Sequence, residues 1–320
     1  MQSVEDFESS RFHPAIVSSP GIPAPPWSRG DSNMTACSMW MPEYSHCLKQ
    51  PLGCVFYGQW NAGTRMFAYS YVYIESGNNK ILVDIGHDQE SSNGAYAAKN
   101  DITDWRPPHA ILAKVGVRPE DIDTVILTHA HYDHAGAARR FPNATFYLQR
   151  KELESSRSAL ENSRLYQSII GALDPSDIDV LEQMAADGSL VLLDGAVENL
   201  RDGVSIRTAW NTHTIGSQYV VVADGENNWV ITGDAMYSYE NAEGIAQAGE
   251  YVNIGFGSGS GWNGLKLIDE MATVAGNTNR LVIAHESETF ARHPSRVYSD
   301  NLAVAELLLA PGEESRILTS

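Results

Sequence analysis

Nine consecutive residues, Thr128-His129-Ala130-His131-Tyr132-Asp133-His134-Ala135-Gly136, constrain this chain more than any other feature. They follow directly on the apolar, β-branched run Thr124–Leu127, which reads as a buried strand. The polar residues therefore sit where a strand ends and a helix begins, and such loops are where a rigid scaffold holds side chains in an open site. His129 and His131 are two apart in an extended segment, so both imidazoles project to one side. Asp133 and His134 fall on the turn beyond and can face a second point nearby. A single histidine is ordinarily a hydrogen-bonded core or surface residue. Three of them with an aspartate in six residues after a strand call for another explanation. Neutral imidazole and carboxylate are the ligands that borderline divalent ions such as zinc prefer.

Three further polar residues follow apolar runs in the same way. His213 lies in Asn211-Thr212-His213-Thr214-Ile215-Gly216-Ser217, just past a run ending at Trp210. Asp234 lies in Thr232-Gly233-Asp234-Ala235, and His285 follows Leu281-Val282-Ile283-Ala284. Each alone is weak, since an aspartate after glycine is usually a turn residue. Together they point to one common rim of strand ends.

The rest of the chain reads as alternating strands and helices. Phe67–Ile74 and Lys80–Asp84 flank a turn at Ser76-Gly77-Asn78-Asn79 and predict a hairpin. Residues 87–109 read as a long loop leading to a helix over Ala110–Val115. Further strands are expected at Ala144–Leu148, Leu190–Leu193, Ser205–Trp210 and Arg280–Ala284, with a second hairpin over Gln218–Ala223 and Trp229–Thr232. Helices are expected at Lys151–Ser158, Ser176–Ala186, Leu265–Ala275 and Ser299–Leu309, and residues 238–262 read as a Gly-rich loop. This grouping indicates a layered α/β domain. Residues 1–45, broken by Pro14, Pro20, Pro23, Pro25 and Pro26, read as an irregular N-terminal arm with Met34, Met39, Trp40 and Met41 as apolar anchors. Residues 46–320 are expected to form a single domain with loop insertions at 87–109 and 238–262.

A formal net charge of −18 argues against nucleic acid or an anionic membrane as the main partner. No apolar run approaches the roughly 18 residues that a membrane span needs. The start, MQSVEDFESS, lacks the basic and apolar regions of a secretory signal, so a cytoplasmic location is expected. Cys37, Cys47 and Cys54 are an odd count without a CxxC spacing; structural thiols are the simplest reading, and one bridge such as Cys37–Cys47 stays open. His46, His87 and His293 read as structural.

With these motifs in this order, the sequence resembles the metallo-β-lactamase-fold superfamily of hydrolases over the stretch from Phe67 to His285, closest to its N-acyl-homoserine lactonase-like branch. The resemblance implies a four-layer αβ/βα sandwich with two divalent metal ions, zinc favoured, at one edge of the sheets. It implies that His129, His131 and His213 hold one ion, that Asp133, His134 and His285 hold the other, and that Asp234 bridges them. Asp84, in Leu82-Val83-Asp84-Ile85-Gly86, matches a family aspartate that orients a metal-binding histidine. The lactamases themselves usually carry cysteine where this chain has Asp234. Thioesterases of the glyoxalase II type append a helical domain for which too little chain follows His285, and flavodiiron reductases need a flavodoxin domain and a glutamate in the motif. In the lactonase-like branch a tyrosine lies three residues beyond the bridging aspartate, and Tyr237 supplies it here. Two departures are the segment His-Thr-Ile-Gly-Ser-Gln, where the branch has His-Thr-Pro-Gly-His, and the added arm and 238–262 loop.

The implied activity is opening of a lactone or ester by a metal-bridging hydroxide, with Asp133, Asp234 and Tyr237 catalytic and no organic cofactor. Hydrolytic dehalogenation or other C–X bond hydrolysis on the same two-metal site is the alternative, and a di-iron redox site is a third. Trp105, His109, Phe256 and Trp262 are candidate contacts to a small-molecule substrate, although His109 also suits a helix cap after Arg106-Pro107-Pro108. The arm leaves a homodimer open.

Overall fold

The computed structural model describes residues 36–317. The five prolines of the expected arm and its anchor Met34 lie outside the described residues.

Two sheets make the centre of the molecule. The larger has ten strands and runs β14 (Ser295–Val297), β15 (Ala303–Leu308), β1 (Cys37–Pro51), β3 (Val72–Ser76), β4 (Asn79–Val83), β6 (Thr124–Ile126), β7 (Thr145–Gln149), β8 (Leu190–Leu193). β2 (Thr64–Ser70) and the short β5 (Ile102–Thr103) pair with the far half of β1. From β4 to β8 neighbouring strands are parallel; the hairpin β3–β4 and the pairings of β1 are antiparallel. The smaller sheet has five strands, in the order β13 (Leu281–Val282), β12 (Asn227–Ile231), β11 (Gln218–Asp224), β10 (Val204–Thr208), β9 (Val197–Arg201), with only β12 and β13 parallel.

Alternating residues sort the core into layers. Met39, Met41, Ile74, Ile81, Val83 and Ile126 of the first sheet pack against Ile206, Val220, Val222, Ile231 and Val282 of the second. The opposite face of the first sheet, with Trp40, Tyr73, Leu82 and Val125, is covered by Ile111, Leu112, Leu153, Ile178 and Leu181 from the helical side. The opposite face of the second sheet, with Tyr219, Val221 and Val230, packs on Leu267, Ile268 and Met271 of the helix Gly261–Ala275. Helix, sheet, sheet and helix therefore stack as the expected four-layer α/β sandwich.

Two segments differ from the sequence reading. The strand β1 begins at Cys37, inside the span expected to be an irregular arm, and Met39, Trp40 and Met41 are completely buried in it. Such burial contributes roughly 1.5–3 kcal/mol per side chain. A strand covered on both faces shows no polar alternation, and Pro42 in its middle resembles a breaker. The expected helix over Ser299–Leu309 is instead β15, antiparallel to β1. Its Ala, Glu and Leu favour helix by only tenths of a kcal/mol. Pairing with β1, and the bond from Trp40 Nε1 to Glu306 Oε1 at 3.1 Å, outweigh that preference.

Smaller differences follow from short elements with little periodicity. The 87–109 loop contains a helix, Asn93–Lys99, and β9 has no counterpart in the sequence reading. Cys37 and Cys47 lie on the same strand, and all three cysteines are thiols, not disulfides.

Candidate metal centre

The C-terminal ends of five strands meet at one edge of the sandwich. Asp84 follows β4, the 129–134 motif follows β6, His213 follows β10, Asp234 follows β12 and His285 follows β13. The turn into Asp234 requires glycine: Gly233 has φ +51°, and a Cβ there would stand 2.8 Å from the Thr128 side chain. The strands carrying the motif and Asp234 are thereby drawn together.

Two groups of side chains that can hold a metal ion lie here, His129, His131, His213 and Asp234 in one and Asp133, His134 and His285 in the other. Within each group the donor atoms all fall within 4.8 Å of one another. All are buried except Asp133, which is partly exposed. Asp234 stands between the groups. Its Oδ2 is 3.3 Å from His213 Nε2 and 3.7 Å from His129 Nε2, whereas its Oδ1 is 3.1 Å from His134 Nε2 and 3.2 Å from His285 Nε2. His131 presents Nδ1, 3.0 Å from His213 Nε2. Asp133 Oδ2 closes the second group at 3.7 Å from His285 Nε2 and 3.8 Å from His134 Nε2.

Behind the groups, the other nitrogens of four imidazoles are tied down. Asp84 Oδ2 accepts from His134 Nδ1 at 2.8 Å, and Ala68 O accepts from His285 Nδ1 at 2.7 Å. His213 Nδ1 donates to Phe256 O at 3.2 Å. His129 Nδ1 is 2.9 Å from Thr128 Oγ1, which donates to Asp84 Oδ2 at 2.9 Å, while Asp84 Oδ1 accepts from Thr128 N at 2.7 Å. A bond at Nδ1 leaves Nε2 with its lone pair turned into the site, the tautomer a metal requires. His129 Nε2 and Asp234 Oδ1 are buried and make no hydrogen bond. Buried polar atoms without partners are costly. Their convergence on a set of imidazoles and carboxylates fits divalent cations.

The electrostatics favour neutral ligands at three of the rings and oppose neutrality at a fourth. Burial and the neighbouring imidazoles push His129 and His131 well below the usual histidine pKa, and burial takes His213 down to about 4 against the pull of Asp234. These three rings are neutral, as ligands must be. Burial also opposes charge on His134, yet Asp234, Asp84 and Asp133 outweigh it and raise its pKa well above the ordinary value. Asp234 is held well below the carboxylate range because His134, His285 and His213 outweigh its burial. Asp133 goes the other way, raised chiefly by burial.

Around the centre, the structure separates the other candidates. Tyr237 is at the site: its hydroxyl lies 3.2 Å from His213 Nδ1, and its ring packs on Phe67. Phe256 is there too, with ring centroids 6.0 Å from His213 and 6.5 Å from His131, and is partly open to solvent. Trp105 stands one layer back, stacked at 6.2 Å on His87 and donating to its carbonyl. His109 is exposed on the short helix Pro108–Leu112, and Trp262 is 69% exposed with its ring beside Lys266. Neither makes a described contact with the centre. Aromaticity and loop position alone did not separate facing residues from outlying ones. Phe67 and Tyr69 were missed. Their rings lie 4.3 and 4.7 Å from that of His285, and their two-residue spacing on β2 was the available signal. A cavity of about 170 Å³ opens beside His131, lined by Ser155, Ala159, Ile169, Leu173 and Ile215 among others.

Known proteins are similar to this chain in sequence and in fold. An N-acyl homoserine lactonase of Bacillus cereus is 27% identical over 180 residues, 53% of this chain and 64% of the relative, so the chain spans just under two thirds of that relative. The crystal structure of a quorum-quenching N-acyl homoserine lactone lactonase superposes with a TM-score of 0.57 at 20% identity, covering 80% of this chain and 95% of that one. A dizinc quorum-quenching lactonase bound to its product superposes with a TM-score of 0.59 at 15% identity, covering 84% and 94%. At these identities the structures attest the fold. Residues 63–269 match the family model for the Metallo-beta-lactamase superfamily, and the chain belongs to that superfamily.

Proposed function

We propose that the chain is a hydrolase that holds two divalent metal ions, preferably zinc, and opens a lactone or ester. The observation that carries this reading is the placement of Asp234, which turns one carboxylate oxygen toward His129 and His213 and the other toward His134 and His285. His129, His131, His213 and Asp234 would hold one ion, and Asp133, His134, His285 and Asp234 would hold the other, with Asp84 orienting His134. When bound, a metal pair of this kind makes a water nucleophile available near neutral pH and polarises the oxygen of a carbonyl or leaving group.

The chain's own groups supply the rest. The Tyr237 hydroxyl lies within hydrogen-bond reach of the Asp234 carboxylate as well as 3.2 Å from His213 Nδ1, where it can donate to an oxyanion forming at the centre. Asp133, the more open of the two carboxylates, takes the proton of the attacking water and returns it to the leaving oxygen. Phe256 screens the His131–His213 side from solvent. The cavity beside His131 accepts an apolar part of the substrate away from the scissile bond. Lactones lead because lactonases figure among the similar proteins; the acyl reading itself rests on Tyr237.

The test is a pH-stat hydrolysis screen over lactones, aryl esters, thioesters and halogenated aromatics, with bound metal quantified. Two equivalents of metal and turnover of a lactone or ester are expected. Turnover confined to halogenated aromatics, or full activity without metal, overturns the reading.

A further inference from the structure

One buried carboxylate near the centre has no part in the scheme above. Glu152 stands in the first turn of the helix Arg150–Glu161, which follows β7, and its side chain is completely buried. A glutamate at this place ordinarily reaches back to cap its own helix. Glu152 instead reaches across to two ligand loops. Its Oε1 accepts from Ala130 N at 3.1 Å, and its Oε2 accepts from Thr214 Oγ1 at 2.7 Å and Gly216 N at 2.9 Å. Ala130 lies between His129 and His131, and Thr214 follows His213, so one carboxylate grips the residues next to three of the five imidazoles. The His213 loop comes so close to this helix that a Cβ at Gly216 would stand 2.1 Å from Glu152 N, and only glycine allows it. Among the described residues, no hydrogen bond or ion pair gives Glu152 a cationic partner; its carboxylate rests on two peptide N–H groups, a hydroxyl and the helix N-terminus.

We propose that Glu152 is the positioning residue that ties the His129–His131 segment to the His213 loop, as Asp84 ties His134 to Thr128 and, through the Thr128 hydroxyl, to His129; this rests on the two-metal reading above. Asp84 binds Thr128 and His134. Glu152 binds the other side of the motif and joins it to the His213 loop, which lies 82 residues further along at its contact with His131. Neither carboxylate touches metal or substrate. Each sets where a loop stands before an ion arrives.

The experiment uses the full chain and zinc, with affinity read by competition against a chromophoric chelator, so that no turnover is needed. His285→Ala isolates the first group and His213→Ala the second. In the His285→Ala background, Glu152→Gln should weaken zinc binding by roughly 10–100-fold, the range for losing an outer hydrogen-bond partner. In the His213→Ala background it should change binding by less than about threefold on the same reasoning. Thr214→Val, which removes one of the three bonds, should show the same selectivity with a smaller loss, and it decides the matter if Glu152→Gln does not fold. Equal losses in both backgrounds, or none in either, overturn the proposal. A parent protein that binds no zinc overturns the two-metal reading itself, and the unsubstituted control shows which has failed.

Discussion

The inner wall of the site and its outer rim are built on different principles. On the inner wall, donor atoms come from strand ends, and the far nitrogens of four imidazoles are fixed by a carboxylate, a hydroxyl or a carbonyl. At the rim, Phe256 is held by its backbone, and the following residues lie along the His213 loop, with Ser258 N bonded to His213 O at 2.8 Å and Gly259 N to Thr212 O at 2.9 Å. The wall fixes side chains; the rim fixes main chain and leaves the side chains exposed. Chemistry should therefore be intolerant of change in the wall, and the rim should affect mainly which substrate binds.

Asp234→Ala should have the largest effect, because it removes the one carboxylate shared by both groups. Metal content should fall below two equivalents and kcat/KM should drop by more than the roughly 1000-fold attached to losing an oxyanion donor. Two metals and full activity in this variant would break the comparison at its centre. Tyr237→Phe comes next, with kcat reduced by roughly 100–1000-fold and metal content unchanged. A rate within twofold of the parent would favour attack on a C–X bond, where no carbonyl oxyanion forms. Asp84→Asn should weaken metal binding by roughly 10–100-fold, seen in chelator competition, because the amide cannot serve Thr128 N, Thr128 Oγ1 and His134 Nδ1 together as acceptor. At the rim, Phe256→Ala should raise KM by roughly 10-fold with little change in kcat, as expected for apolar contact outside the reacting centre.

The same division explains what the sequence could show. Histidines and an aspartate crowded into six residues after a strand signal their chemistry locally, as do His213, Asp234 and His285 after β-branched runs. Their spatial convergence needed the fold, but the residue types were legible. Glu152 was not, because a glutamate opening a helix is ordinary, and its meaning comes from partners 22, 62 and 64 positions away. β1 was obscured for a related reason. Cover on both faces replaces polar alternation with continuous apolarity, and Pro42 reads as a break. β15 shows tertiary pairing overriding a weak local preference. At the rim, Phe256 and Trp262 look alike in sequence, and only the path of the chain between them distinguishes them.

That pair gives the smallest expected effect. Trp262 lies in the first turn of the helix Gly261–Ala275, 69% exposed, with Lys266 Nζ 5.7 Å from its ring. A cation–π contact this open is worth about 0.5–1 kcal/mol at most. Phe256, six residues earlier, lies over His131 and His213. The backbone bonds that align 258–260 with 211–213 keep the chain at the site until Ser260, whose hydroxyl accepts from Asn263 N and starts the helix away from it. Trp262→Ala should therefore shift stability by no more than about 1 kcal/mol in a denaturant melt, leaving kcat and KM at parent values. His109→Ala, exposed on its own short helix, should behave the same way. A tenfold rise in KM from Trp262→Ala would mean that the rim extends past Ser260 and that substrate, not solvent, covers the indole in the working enzyme.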